Sequence, residues 1–140
     1  MIVRDAADDD RDAVFELANA LALERPVDCS AFEVQYAAAR ADERTELLVA
    51  VDGPVVGYLL GVISPMFVYN GAFAFVQELC VAADVRRRGI GAGLMSAFEA
   101  RAAARGAGAI ALATSRAGAF YGALGYTGGA TYFEKWLVRA

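Results

Sequence analysis

The sequence predicts an α/β (α+β) fold, a mixed central sheet of about six to seven strands with helices on both faces. Three observations carry this. Short apolar runs of strand composition alternate with segments of helical periodicity. Glycine, proline or an Asp-Gly pair closes most of them. Between Ala72 and Ala113 a strand, a glycine-punctuated loop, a helix and a second strand follow at the length of a right-handed crossover, which makes those two strands parallel neighbours.

In chain order, Ile2 and Val3 begin a short strand. The acidic run Asp8-Asp9-Asp10 suits a helix start, where carboxylates meet orphan N–H groups and the positive end of the dipole, and Val14, Leu17 and Leu21 follow at helical spacing. Pro26 breaks that helix. Ser30-Ala31-Phe32-Glu33 reads as a capping box for a second helix through about Arg40. Leu47 to Val51 is an apolar strand ending at Asp52-Gly53, a hairpin signal, and its partner runs from Val55 to about Ile63. Ser64 to Gly71 is a loop that contains Phe67 and Tyr69, either a hydrophobic plug or a lid over substrate. Ala72 to Ala83 is a long apolar strand. A helix over about Gly91 to Arg105 puts Leu94, Met95, Phe98 and Ala102 on one stripe, and Gly106 and Gly108 end it. Ala109 to Ala113 reads as a buried strand and Ala117 to Leu124 as a short helix closed by Gly125. After a Gly128-Gly129 turn, Tyr132 to Val138 reads as the last strand. The 140 residues fit one domain, 1–140.

Composition narrows the function. Hydrophobic residues make up 58% of the chain and charged residues 21%, which supplies a core and argues against disorder. The formal net charge of -4 speaks against a nucleic-acid binder and tilts expectation toward a cationic or amine partner. With no histidine and two cysteines, Cys29 and Cys80, the usual zinc sites and Ser-His-Asp or Cys-His centres are excluded. Acid–base chemistry therefore falls to carboxylates, Tyr, Lys, Cys or water. Cys80 reads as a small buried apolar residue rather than a nucleophile. A disulfide framework is not expected in a core of this size, no apolar run approaches the roughly 20 residues of a membrane span, and Met1 to Asp5 lacks a signal-peptide pattern. These point to a cytoplasmic protein without a membrane partner.

One junction stands out. Val81-Ala82-Ala83-Asp84-Val85-Arg86-Arg87-Arg88-Gly89-Ile90-Gly91 joins a strand to a helix. Successive N–H groups at such a junction form an anion cradle, reinforced by the helix dipole. Gly89 and Gly91 remove the Cβ atoms that would block a phosphate, and three arginines supply local positive charge. The junction is neither a Walker loop nor the three-glycine dinucleotide fingerprint. It reads as a phosphate or pyrophosphate site.

These residues resemble the GNAT superfamily of N-acyltransferases. Arg86-Arg87-Arg88-Gly89-Ile90-Gly91 matches its Arg/Gln-x-x-Gly-x-Gly/Ala signature, and Val81 stands where its strand-ending Val usually does. Ala117-x-x-Phe120-Tyr121-x-x-x-Gly125-Tyr126 matches its second signature. Thr114 stands where many members carry Asn, and a hydroxyl replaces part of that contact. The resemblance implies acetyl-CoA as cosubstrate and no metal. It places the pyrophosphate on backbone N–H groups from Arg86 through Gly91. The pantetheine arm would lie between two diverging strands, pairing with backbone near Leu79 and Val81, and an N–H near Val81 would polarise the acyl carbonyl. Tyr121 is at the position of the general acid for the CoA sulfur.

Glu78 is the only charge in the apolar run Ala72 to Ala83 and suits a base that accepts an ammonium proton directly or through water. Its neighbour Gln77 cannot do that work. Strict alternation puts the two on opposite faces and leaves open which faces substrate. The expected reaction is transfer of an acetyl group to a primary amine by direct attack in a ternary complex. A catalytically weak acyl-CoA sensor and an interaction module that has lost the cofactor are the alternatives, and Glu78 with Tyr121 favours the enzyme. The acceptor, a small molecule or a peptide amine, stays open among polyamines, aminoglycosides, amino acids and protein amines. Oligomeric state stays open too, with a homodimer among the options because relatives are frequently dimers.

Overall fold

The computed structural model describes residues 1–139. β1 (Ile2–Asp5) leads through one 3-10 turn over Asp8–Asp10 into α1 (Arg11–Leu21). Within the acidic run Asp10 is buried, accepting the Ala7 N–H at 2.7 Å and two guanidinium N–H groups of Arg4 at 2.7 and 3.0 Å. Those Arg4 hydrogen bonds hold the Asp10 carboxyl below its ordinary range and tie β1 to the start of α1.

α2 (Cys29–Ala41) is capped by Asp28, not by Ser30 as its capping-box pattern predicts. The Asp28 carboxylate accepts the Ala31 N–H at 2.8 Å, and as a full negative charge at the positive end of the dipole it outcompetes a hydroxyl. β2 (Thr45–Val51), β3 (Val55–Met66) and β4 (Gly71–Val81) form an antiparallel meander. The predicted Ser64–Gly71 loop is shorter: β3 runs on to Met66, and the reversal is made within residues 67–70, with Asn70 at φ 57°. α3 (Ile90–Ala104) crosses over to β5 (Ala107–Leu112), which pairs parallel to β4 as expected, and α4 (Gly118–Ala123) follows. The sheet order is β1-β2-β3-β4-β5.

Helices cover both faces. α3 packs Leu94, Met95 and Phe98, none more than 1% exposed, against Leu48, Leu59, Ala74 and Val76. α1 and α2 bury Val14, Leu17 and Tyr36 against Leu47, Val49, Tyr58 and Cys80 on the other face. The Cys80 thiol faces the Leu17 carbonyl at 3.4 Å, and burial pushes its pKa up, as befits an inert core residue.

The sheet thus has five strands rather than six to seven, because the predicted strand Tyr132–Val138 does not form; residues 126–139 carry no strand. A segment rich in aromatic residues after a Gly-Gly turn favours extended chain, but a strand also needs a ladder partner. Here side chains hold the segment to the α1–α2 connection instead. Arg25 stacks 3.7 Å over the Trp136 ring and donates to the Val138 carbonyl at 3.0 Å, and the Trp136 indole donates to Glu24 at 2.8 Å. Among the described residues no helix is long and apolar enough to cross a membrane.

Candidate active site

The site begins where two strands part. β4 and β5 stay paired only to Val76 and Leu112, while β4 continues five residues further, paired with β3 alone. The edge of β4 from Gln77 to Val81 that faces β5 therefore has no strand partner. Ala82 N–H donates to the Val56 carbonyl of β3 at 2.8 Å. Alternation along a strand turns the N–H groups of Val81 and Leu79 the other way, onto the open edge. A cleft of about 690 Å³ occupies the gap between the strands.

The Arg-Gly junction closes one end of this cleft. Arg87 (φ 69°) and Gly89 (φ 78°) both take left-handed backbone, so the chain coils tightly into α3. A Cβ built on Gly89 meets nothing within 4 Å: this is open space at the helix start. The first helical bond of α3 runs from Gly93 N–H to Gly89 C=O at 2.9 Å. The N–H groups of Ile90, Gly91 and Ala92 lie ahead of it without helical acceptors, and all three residues line the cleft. Gly91 serves a different need: its Cβ would lie 3.1 Å from the Phe120 ring, which packs over the first turn of α3. Arg86 donates through Nε to the Val81 carbonyl at 3.2 Å and so anchors the junction to the end of β4. Free N–H groups at a helix start, two arginines and room for a bulky anion fit a pyrophosphate, and the unpaired β4 edge fits an extended amide-bearing arm.

Glu78 reaches the same cleft through an irregularity of β4. Leu60 pairs with Glu78 while the next residue, Gly61, pairs with Val76, so Gln77 is an extra, bulged residue. The bulge resets the alternation. Ala74 and Val76 pack on the α3 side, Cys80 packs on the α1–α2 side, and Glu78 takes the side of Cys80. Strict alternation would have set Glu78 and Val76 on one face. Gln77 and Glu78 both line the cleft. The buried Tyr58 hydroxyl donates to Glu78 Oε1 at 2.7 Å, which orients the carboxylate. Burial, with Glu78 beside it, drives the Tyr58 pKa far upward, so Tyr58 stays a hydrogen-bond donor at every physiological pH.

Across the cleft, Tyr121 is half-buried with its ring edge-on to Phe120 (centroids 4.9 Å apart) and to Tyr126 (6.0 Å). Its hydroxyl makes no hydrogen bond among the described residues, and burial raises its pKa, so it carries its proton at neutral pH. Tyr126 donates to Glu99 of α3 at 2.6 Å and fixes the turn after α4. Thr114 lines the cleft too, but its oxygen accepts the N–H groups of Ala117 (2.9 Å) and Arg116 (3.3 Å). It thereby shapes the turn that positions α4 and Tyr121, and its hydroxyl proton remains available as a donor.

Of the residues singled out in the sequence, Glu78, Leu79, Val81, Arg86, Arg87, Gly89, Ile90, Gly91, Thr114 and Tyr121 gather around this cleft. Arg88 is exposed and is not among its lining residues. One contributor escapes sequence reading: Tyr58, whose bond to Glu78 depends on strand register. Phe120 stands in the second signature, but its packing on Gly91 is seen only in the fold. Phe67 is 94% exposed at the β3–β4 turn, and neither it nor Tyr69 lines the cleft, which speaks against a lid over it; the Tyr69 ring packs on Phe73, centroids 4.9 Å apart. Among the described residues no group of three or more His, Cys, Asp or Glu is placed to hold a metal ion.

A family model described as the acetyltransferase (GNAT) family matches residues 11–126. Among curated proteins none matches the chain in sequence. Solved structures match it in fold. A transcriptional regulator from Bacillus halodurans C-125 superposes with a TM-score of 0.88 at 22% identity, over 97% of this chain and 99% of that one. Glucosamine-6-phosphate N-acetyltransferase from Arabidopsis thaliana gives 0.84 at 17% identity, over 98% of each chain. An acetyltransferase from Trypanosoma brucei gives 0.81 at 20% identity, over 97% of this chain and 99% of that one. Identities this low speak to fold alone. The family model, by contrast, spans both glycine motifs and every residue placed at the cleft, and this chain belongs to the GNAT acetyltransferase family.

Proposed function

We propose that the chain transfers an acetyl group from acetyl-CoA to a primary amine, both substrates being bound at once. The observation that carries this reading is the parting of β4 from β5 directly beside the Arg86–Gly91 cradle, with Glu78 and Tyr121 on the walls of the same cleft. Acetyl-CoA supplies the acyl group as an activated thioester. Arg86, Arg87, Gly89, Ile90 and Gly91 hold the pyrophosphate, and Arg88 adds positive charge outside the cleft. The open-edge groups of Leu79 hold the arm, Thr114 offers its hydroxyl proton, and the Val81 N–H faces the charge that develops on the acyl oxygen. Glu78, held by Tyr58, accepts the ammonium proton and passes it to solvent. The amine nitrogen then bonds to the acyl carbon as the carbon–sulfur bond breaks. The electron pair leaves on sulfur, which takes a proton from Tyr121, and Tyr121 recovers one from the nitrogen. The balance is ammonium plus thioester giving amide, thiol and one proton. Both cysteines are free, which suits the proposed cytoplasmic setting.

The test is calorimetric titration with acetyl-CoA followed by thiol release against a panel of amines. Glu78→Gln keeps the size and removes the base. It is expected to lower turnover by about 100-fold or more at neutral pH, recovering partly as pH rises and the amine deprotonates in solution, with acetyl-CoA affinity unchanged. A folded protein that does not bind acetyl-CoA refutes the reading, and binding without turnover of any amine replaces the enzyme by a sensor.

A further inference from the structure

Glu78 borders a second space. A cavity of about 420 Å³ lies between α1, α2 and the sheet, on the face opposite α3. Its walls are apolar, with Val14, Ala18 and Leu21 from α1, Phe32 from α2 and Leu60 from β3. Only two of its lining residues are charged, Asp28 and Glu78, and both are acidic. Asp28 is engaged as the cap of α2. The hydroxyls present are also engaged: Tyr36 donates to the Ala7 carbonyl at 2.6 Å and Tyr58 donates to Glu78. Glu78 and Leu21 line this cavity and the cleft alike, so the carboxylate stands where the two spaces meet.

We propose that this cavity is the acceptor site and that the acceptor is an apolar primary amine, one amino group on an alkyl or aryl body. The inference rests on the reading of the cleft as the acyl-CoA site and of Glu78 as the proton acceptor. The ammonium group meets the carboxylate at the junction, and the body lies along α1 and α2 against apolar walls. There it sheds its proton to Glu78, and its nitrogen faces the cleft. Phosphate- and carboxylate-bearing amines find two negative charges and no cation. Sugars would lose their hydration to walls with few unengaged polar groups. A long polyamine would bring further ammonium groups into an apolar space that holds one other carboxylate, already bonded as a cap.

The experiment measures kcat/KM of the full chain with acetyl-CoA and, in turn, phenethylamine, hexylamine, spermidine, glycine and glucosamine-6-phosphate, with acetyl-CoA affinity measured separately by calorimetry. Phenethylamine and hexylamine are expected to exceed the polar amines by about tenfold or more. Ala18→Phe fills the cavity from α1 and is expected to raise the KM for phenethylamine at least about tenfold while acetyl-CoA affinity holds. Ala31→Phe, at the exposed rim on α2, does the same more mildly and answers the case in which Ala18→Phe does not fold. If acetyl-CoA binds and a polar amine is the better acceptor, or no apolar amine turns over, the inference is overturned and the acyl-CoA site stands. If acetyl-CoA itself does not bind, the parent reading has failed and this inference falls with it.

Discussion

The two faces of the sheet are built to different specifications. On the α3 face, Leu94, Met95 and Phe98 reach 0–1% exposure against Leu48, Leu59 and Ala74, and the helix that packs there also begins at the Gly89 cradle. On the α1–α2 face the buried cluster is smaller, it includes two tyrosines and a cysteine, and a cavity of about 420 Å³ remains beside Glu78. A tightly packed helix gives the phosphate cradle a rigid platform. A loosely filled face leaves open the space that we propose for the acceptor, with the Glu78 carboxylate on its wall. On the proposed reading, the stability core, the phosphate cradle and the acid Tyr121 gather on the α3 face, and the base Glu78 stands on the other.

The sharpest way to break this comparison is to empty the α3 face. Phe98→Ala removes a fully buried ring at the centre of the larger cluster and is expected to cost about 3–5 kcal/mol of unfolding free energy. Denaturant titration checks it. A loss below about 1 kcal/mol would mean that the α3 face is not the stability core.

The contrast also explains what could be read from the sequence. The cradle was legible because its chemistry is contiguous: Arg86 through Gly91 carries its own turn, charge and helix start, and needs no partner strand to be recognised. The α3 stripe was legible for the same reason, since Leu94, Met95, Phe98 and Ala102 belong to one helix. Glu78 was only half legible. Its chemistry showed as a lone charge in an apolar run, but the face it occupies depends on the Gln77 bulge, and a bulge arises from register against β3. Tyr58 was invisible because its bond to Glu78 crosses between strands. The last strand does not form because aromatic-rich composition favours extended chain without fixing what it pairs with, and Glu24 holds Trp136 from 112 residues away and Arg25 holds Val138 from 113. Local competition misled too: Ser30 fits a capping pattern, but Asp28 is the charged acceptor at that helix start.

Two further substitutions sharpen the comparison from the cofactor side. Gly89→Glu puts a side chain and a negative charge where a pyrophosphate would approach, on backbone at φ 78°. It is expected to weaken acetyl-CoA binding by about 100-fold or more, at a stability cost of about 1–3 kcal/mol from the left-handed backbone. Isothermal titration of the folded variant decides, and an unchanged affinity removes the cradle from the proposal. Tyr121→Phe keeps the ring against Phe120 and Tyr126 and deletes the hydroxyl. The chemical step is expected to slow by roughly 10- to 1000-fold with acetyl-CoA affinity nearly unchanged, because a thiolate of intrinsic pKa near 8.5 can also leave unprotonated. Single-turnover rates at wild-type level would reduce Tyr121 to a packing residue.

The smallest expected effect tests the α1–α2 face itself. Tyr58→Phe keeps the buried ring and removes one hydroxyl, which leaves Glu78 without its orienting donor. Turnover is expected to fall by about tenfold, with acetyl-CoA affinity unchanged. Stability at neutral pH is expected to change by about 1.5–3 kcal/mol, the scale of one hydrogen bond to a charged group. The alkaline limb of stability gives an independent readout. Burial raises the Tyr58 pKa in the folded protein, and an unfolded tyrosine titrates near 10. Above about pH 10 the unfolded chain therefore loses a proton that the folded protein keeps, fewer protons are bound in the unfolded state, and stability falls as pH rises. Tyr36, Tyr121 and Tyr126, also raised, contribute in the same direction. Removing Tyr58 takes one such group away, so the decline above pH 10 is expected to be shallower by up to about 1.4 kcal/mol per pH unit. Urea titrations of both proteins between pH 9 and about 11 measure that slope. Equal slopes would show that the Tyr58 hydroxyl meets water rather than Glu78. With wild-type turnover as well, the α1–α2 face would be a second packing face rather than the seat of proton transfer.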